Sequence, residues 1–222
     1  MTATRQPAAW LESARRGQTT AADLRAAAER CRACDLWRRG TQTVFGEGPA
    51  RPRVVCVGEQ PGDREDRAGR PFVGPAGRLL DEALERVGIA RDGVWVTNAV
   101  KHFKWRERGK RRIHEKPSPN EVRACRPWLL AEIAALQPDL VVCLGATAAQ
   151  SLLGPRFRVT KDRGRVVGAP GLPPIVATVH PSSLLRAPDA ATRRRERARF
   201  EADLRGVASL LQKAPRRAAR RA

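Results

Sequence analysis

Four short aliphatic runs limit what this chain can fold into: residues 53–58 (Arg-Val-Val-Cys-Val-Gly), 94–100, 139–145 (Asp-Leu-Val-Val-Cys-Leu-Gly) and 174–179 (Pro-Ile-Val-Ala-Thr-Val). Such compact apolar runs read as strands buried on both faces. Helical patterns separate them. Residues 75–87 gather Leu79, Leu80, Ala83, Leu84 and Val87 at helical spacing. Ser118-Pro119-Asn120-Glu121 opens another helix, to about residue 136, with a Ser cap, Pro in the first position and Glu at the third. Thr20-Ala21-Ala22-Asp23 caps a short helix near the start, and residues 146–153 and 190–211 supply two more. Strands alternating with helices predict an α/β fold, a three-layer sandwich around a four-stranded, mostly parallel sheet.

In such sheets sites lie beyond the carboxyl ends of the strands. That rule selects residues 59–62, Asn98 with the stretch after it, residues 145–147 and residues 180–186. The stretch after Asn98 is unusual. Residues 101–116 carry eight Lys or Arg against two Glu, and they hold His102 and His114, two of the three histidines in the protein. They read as a loop, and a loop of this length inside a compact domain implies a function.

At 222 residues with 41% hydrophobic content the chain is expected to form one domain over 1–212, with 213–222 as a basic, disordered tail. A formal net charge of +20 calls for a polyanionic partner: DNA, RNA or an anionic membrane. No apolar run approaches a membrane span and the N-terminus has no signal core, so a cytoplasmic location is expected. Five cysteines in a reducing compartment then suggest metal ligands or buried thiols rather than disulfides. Cys56 and Cys143 lie inside strands and read as core thiols. Cys31-x-x-Cys34 is compatible with a metal, a cluster or a redox site, and Cys125 is a third soft ligand.

Four motifs carry a resemblance: Gly58-Glu59-Gln60-Pro61-Gly62, residues 70–77 (Arg-Pro-Phe-Val-Gly-Pro-Ala-Gly), Thr97-Asn98-Ala99-Val100-Lys101 and His180-Pro181-Ser182-Ser183. In this order they resemble the iron–sulfur uracil-DNA glycosylases, family 4 of that superfamily. Two departures stand out. The family usually has a small residue in place of Gln60, and a much shorter segment in place of Gly109-Lys110-Arg111-Arg112-Ile113-His114. Both departures are similar to the UdgX-type subgroup, which stays covalently joined to the abasic site through the histidine of this insertion. The resemblance also implies a [4Fe–4S] cluster on Cys31, Cys34, His102 and Cys125, with His102 standing where the family has a cysteine. A zinc site fits the same ligand types; only the resemblance favours iron.

The implied substrate is uracil-containing DNA, single-stranded by preference, handled by a monomer that binds no membrane. Uracil must leave the base stack to be reached. Phe72 is the expected stacking platform, Gly58 and Gly62 line the approach, and Asn98 reads the uracil edge; cytosine reverses that donor–acceptor pattern. His180 is expected to donate to uracil O2 as charge develops on the leaving base. Gln60 is expected to position a water or the basic loop. Lys110, Arg111, Arg112, Ser182, Ser183 and Arg186 are expected on the DNA backbone, with Leu184 or Leu185 as an apolar wedge. His114 is the expected nucleophile, attacking through Nε2, and Glu59 the group that orients it and takes its Nδ1 proton. Two rival readings remain open: an ordinary turnover glycosylase that uses water, and a non-catalytic nucleic-acid-binding protein on an iron–sulfur or zinc scaffold.

Overall fold

A computed structural model describes residues 7–213. In chain order its elements are α1 (Pro7–Arg15), α2 (Ala21–Ala28), β1 (Val54–Gly58), α3 (Asp63–Ala68), α4 (Pro75–Arg86), β2 (Val94–Asn98), β3 (Trp105–Arg108) and β4 (Arg111–His114). There follow α5 (Pro119–Leu136), β5 (Leu140–Leu144), α6 (Ala146–Leu153), α7 (Val159–Asp162), β6 (Val166–Val167), β7 (Ile175–Thr178), α8 (Pro181–Leu185) and α9 (Ala190–Lys213). The two anticipated capping boxes are both formed, by Thr20 with Asp23 and by Ser118 with Glu121.

The central sheet has the strand order β2-β1-β5-β7-β6, one strand more than the four expected. Its four long strands are parallel, and β6 pairs antiparallel with β7 at one edge. This added strand spans only two residues, too few to leave a periodic signal. Side chains alternate across the sheet and divide the core in two. Val55, Val57, Val141, Cys143, Ile175 and Ala177 meet the residues of α1, α2, α5 and α6. Val54, Cys56, Val94, Val96, Val142 and Val176 meet α4, α8 and α9 on the other face. Helices on both faces make the α/β sandwich, and Cys56 and Cys143 are core thiols, fully buried.

The basic stretch is not an open loop. Strands β3 and β4 form an antiparallel hairpin that pairs Trp105 with His114 and Arg108 with Arg111. Its two-residue turn is Gly109–Lys110, with Gly109 at φ 57°, a conformation that glycine adopts without steric cost. Charged residues on both faces hide the period-two pattern that marks a strand. Helix α9 runs through Lys213, so that residue is helical rather than part of a tail; residues 214–222, on which the rest of the tail expectation falls, lie outside the described residues. Among the described residues no helix is long and apolar enough to cross a membrane.

Lys101, first in the basic stretch, lies in the core. Its side chain is 1% exposed and forms an ion pair with Glu132 of α5, itself fully buried. The ammonium donates further to Thr97 Oγ1 at 2.6 Å and to the Asn98 carbonyl at 2.9 Å. Glu132 also accepts from Trp95 Nε1 at 3.2 Å, from Thr97 Oγ1 at 3.0 Å and from the Gly46 amide at 3.2 Å. Removing one partner of such a pair strands the other charge in the core. Lys101→Met should therefore cost about 3–5 kcal/mol in urea unfolding, whereas Lys101→Met with Glu132→Leu should recover much of the loss.

Candidate active site

The carboxyl ends of β1, β2, β5 and β7 open onto one cavity of about 580 Å³. Its walls take Glu59, Gln60 and Gly62 from the turn after β1, Asn98 from the end of β2, and Gly145 and Thr147 from the turn into α6. Phe72, His114, His180, Ser182 and Arg186 also line it. Gly58 pairs with Asn98 across the sheet, and a Cβ on Gly58 would run into the Asn98 side-chain oxygen and the Phe72 ring. Glycine here is what allows amide and ring to approach each other over the strand end. Among the described residues no hydrogen bond engages the Asn98 side-chain amide, although the residue is only 3% exposed, so its donor and acceptor are unspent toward the cavity.

Phe72 holds a left-handed backbone, φ 58°, which is rare for a residue of this bulk. Its carbonyl lies where a Cβ of residue 77 would stand, so Gly77 is what lets α4 pack against this turn. Glu65 Oε1 accepts the Gly74 amide at 2.7 Å and holds the far side of the same turn. The ring is thus fixed from its backbone, facing His180 at a centroid distance of 6.2 Å and an angle of 24°.

His180 caps α8. Its Nδ1 accepts the Ser182 amide at 3.1 Å and lies 2.8 Å from Ser182 Oγ. A backbone N–H can only donate, so Nδ1 carries the lone pair and the proton resides on Nε2. Burial pushes the His180 pKa down to about 4, with Arg186 and His114 adding to the effect, so the ring is a neutral donor at pH 7.

Glu59, one quarter exposed, accepts a short hydrogen bond from Thr147 Oγ1 on one carboxylate oxygen. The other oxygen faces His114 at 3.5 Å, and the nearer ring nitrogen is Nε2, where Nδ1 was expected. That separation is close but longer than a hydrogen bond. His114 is about half exposed and tilts against Phe103, ring centroids 6.1 Å apart.

Of the two roles expected of Gln60, its hydrogen bonds match the one on the basic segment. Its Nε2 donates to the carbonyls of Lys104, at 3.1 Å, and Glu115, at 3.0 Å, and its Oε1 accepts the Lys104 amide at 3.0 Å. One side chain thereby ties both feet of the β3–β4 ribbon to the end of β1. Arg112 departs from its expected place. Expected on phosphate, it turns inward, only 15% exposed, onto the carboxylates of Asp63 and Asp66, between the rings of Phe103 and Trp105. Hairpin register accounts for this. Directly paired residues share a face, so Arg112 goes with Trp105 and His114, while Arg106, Arg108 and Arg111 go to the other face. Asp63 and Asp66 stand three apart on α3, a helical spacing that marks a common face in the sequence.

Of the remaining expected DNA contacts, Ser182 and Arg186 line the cavity. Ser183 Oγ turns back to its own helix start and donates to the His180 carbonyl at 2.8 Å. Lys110 and Arg111 are exposed at the hairpin tip, away from the cavity wall. Leu184 is buried in the core beside α4 and α9, so only Leu185, 43% exposed, could act as a wedge.

Cys31, Cys34, His102 and Cys125 line a second, much smaller cavity of about 10 Å³. Among the described residues no group of three or more His, Cys, Asp or Glu is arranged to hold a metal ion. The chemistry of the donors nevertheless fits a sulfur-bound group. The Trp128 indole donates to Cys31 Sγ at 3.2 Å and the Lys101 amide to Cys125 Sγ at 3.3 Å, hydrogen bonds of the kind that steady a sulfur bound to metal. His102, whose Nε2 lies 3.0 Å from Thr43 Oγ1, is pushed down to about 4 by burial and by Arg32, which keeps it in the neutral form that ligates. Burial raises the Cys125 thiol to about 12, and the charge of a metal is what would ionise it.

The chain matches the uracil DNA glycosylase superfamily over residues 45–205, which take in the whole sheet and the cavity at its carboxyl end, and it belongs to that family. It is 43% identical over 159 residues to a type-4 uracil-DNA glycosylase of Thermotoga maritima, covering 71% of this chain and 79% of that protein. It is 39% identical over 167 residues to the type-4 enzyme of Pyrobaculum aerophilum, covering 71% and 81%. With the type-4 enzyme of Archaeoglobus fulgidus the identity is 34% over 187 residues, covering 81% and 87%.

The hydrogen bonds of His180 lead to a direct test. Nitrogen-15 NMR should find Nε2 protonated and Nδ1 bare at neutral pH, with titration near 4. Because the folded pKa lies below the ordinary 6.5, the unfolded chain binds a proton that the folded one does not between these values. Stability should therefore be complete above pH 6.5 and fall as pH drops toward 4, and His180→Asn should flatten part of that slope in urea unfolding.

Proposed function

We propose that this protein cleaves the N-glycosidic bond of deoxyuridine in DNA and that His114 then captures the sugar as a covalent adduct. The observation that carries the reading is the company in the main cavity: an unspent Asn98 amide, the Phe72 ring, a neutral His180 and the facing pair of Glu59 and His114. Type-4 uracil-DNA glycosylases at 34–43% identity support the first half of it.

The flipped uracil stacks on Phe72, and Asn98 donates to O4 and accepts from N3–H. As the C1′–N1 bond breaks, its electron pair passes to the base, and His180 Nε2–H donates to O2, where negative charge grows. The sugar becomes oxocarbenium-like, as in glycoside cleavage generally. The His114 lone pair then forms the C1′–N bond. The alkylated ring is an imidazolium and a fair leaving group until it loses its proton to Glu59, which leaves a neutral and poor one. In the geometry described, Nε2 is the nitrogen that faces Glu59, so Nδ1 attacks unless the ring turns first. Lys110, Arg111, Ser182 and Arg186 hold phosphates of a strand that is preferably single.

Cys31, Cys34, His102 and Cys125 would hold a [4Fe–4S] cluster, or less readily zinc, whose contribution is a structural tie between the N-terminal segment, the residue after Lys101 and α5. Iron and acid-labile sulfide in the purified protein, lost in Cys31→Ala, would support the cluster; zinc alone would reject it.

A second reading has an observation of its own. Glu59 is one quarter exposed and lines the main cavity, so water can reach its carboxylate from the cavity side, as a turnover glycosylase requires. Incubation with uracil-containing single-stranded DNA followed by a denaturing gel separates the two. A heat- and detergent-resistant shifted band supports the adduct, a free abasic product supports turnover, and neither product rejects glycosylase activity. His114→Ala should abolish the shifted band, and Glu59→Gln should slow its formation at least tenfold, about the effect of losing one charged hydrogen bond.

A further inference from the structure

Glu59 is fixed at its backbone and free at its side chain, with one exception. Its carbonyl accepts the Val100 amide at 3.0 Å, which pins the main chain to the segment after β2. Its carboxylate makes a single hydrogen bond among the described residues, and the donor is Thr147 Oγ1. Thr147 belongs to the turn after β5, the one strand-end segment that the substrate chemistry leaves without a task.

We infer that Thr147 is a positioning residue for Glu59: its hydroxyl captures one carboxylate oxygen and thereby turns the other toward His114. A glutamate that is one quarter exposed otherwise has several rotamers open to it, and only some direct an oxygen at the hairpin. Thr147 is itself well placed to impose a choice. It is 6% exposed in the first turn of α6, so its own rotamer is held by packing. The turn before it is equally constrained. Gly145 has φ 96°, and a Cβ there would press on His180 Cβ at 3.1 Å. One turn therefore packs against the residue that faces the leaving base and orients the residue that faces the nucleophile.

The inference rests on the covalent reading above, and its test is chosen to separate the two. Thr147→Val keeps the shape and removes the donor; Thr147→Ser keeps the donor and removes a methyl group. With the full-length protein and uracil-containing single-stranded DNA, Thr147→Val should form the shifted band about tenfold more slowly, the effect of one hydrogen bond to a charged group. Thr147→Ser should stay within about twofold of the unaltered protein, because the donor is retained. Equal slowing by both substitutions would assign Thr147 to packing and overturn the inference, as would no slowing by Thr147→Val. If the unaltered protein gives free abasic product and no band, the covalent reading fails, and the same comparison is read on uracil release. A readout independent of activity is the carboxylate carbon-13 resonance of Glu59. It should move in Thr147→Val and return in Thr147→Ser; a resonance unmoved by Thr147→Val rejects the hydrogen bond whatever the enzyme does.

Discussion

An ammonium buried beneath the sheet holds together much of what surrounds the two cavities. Lys101 and Glu132 pair where water is absent, and such a pair persists only if every remaining hydrogen-bonding position is filled. Trp95 and Thr97 of β2, the Gly46 amide and the Asn98 carbonyl fill them. Strand β2, helix α5 and the segment bridged to Val96 thus share one electrostatic knot. Asn98 lines the main cavity, and Lys101 and His102 line the cysteine–histidine cavity. Residues 98–102 carry both, so the place of each depends on the buried charge of Lys101.

Two kinds of constraint then build the site. The sheet supplies positions that cannot drift: Gly58 lets Asn98 and Phe72 close over the strand end, and Gly77 allows the Phe72 turn to fit against α4. The hairpin supplies His114 on an element that the sheet does not need for its own pairing. Its location comes from polar anchors, the Gln60 amide at its base and the Arg112 guanidinium on Asp63 and Asp66. A neutral amide serves well in the first role, since it donates twice and accepts once without bringing a charge to a cavity edge.

What could be read before the structure follows from how each signal arises. The buried strands, the Ser118 and Thr20 caps and the site at the strand ends rest on local chemistry and on one topological rule, and all three were legible. The hairpin was not, because Arg106, Arg108, Arg111 and Arg112 stand on both of its faces and erase the alternation that betrays a strand. Arg112 and Lys101 look like surface charges until their partners are known, and those partners lie 46 and 31 residues away in the chain. Thr147 was legible as a location but not as a contact, since nothing in residues 145–147 shows that a carboxylate 88 positions earlier comes to meet it.

The hairpin also has a thermal consequence. A two-stranded ribbon is marginally stable in water, and this one has no core of its own beyond the few side chains beneath it. It can open while the sheet stays closed, at a free-energy cost well below that of global unfolding. Warming would then cross two thresholds: the wall that carries His114 gives way first, and the rest of the protein melts later. Between them lies a range in which the helices and the central sheet persist while one side of the cavity is missing.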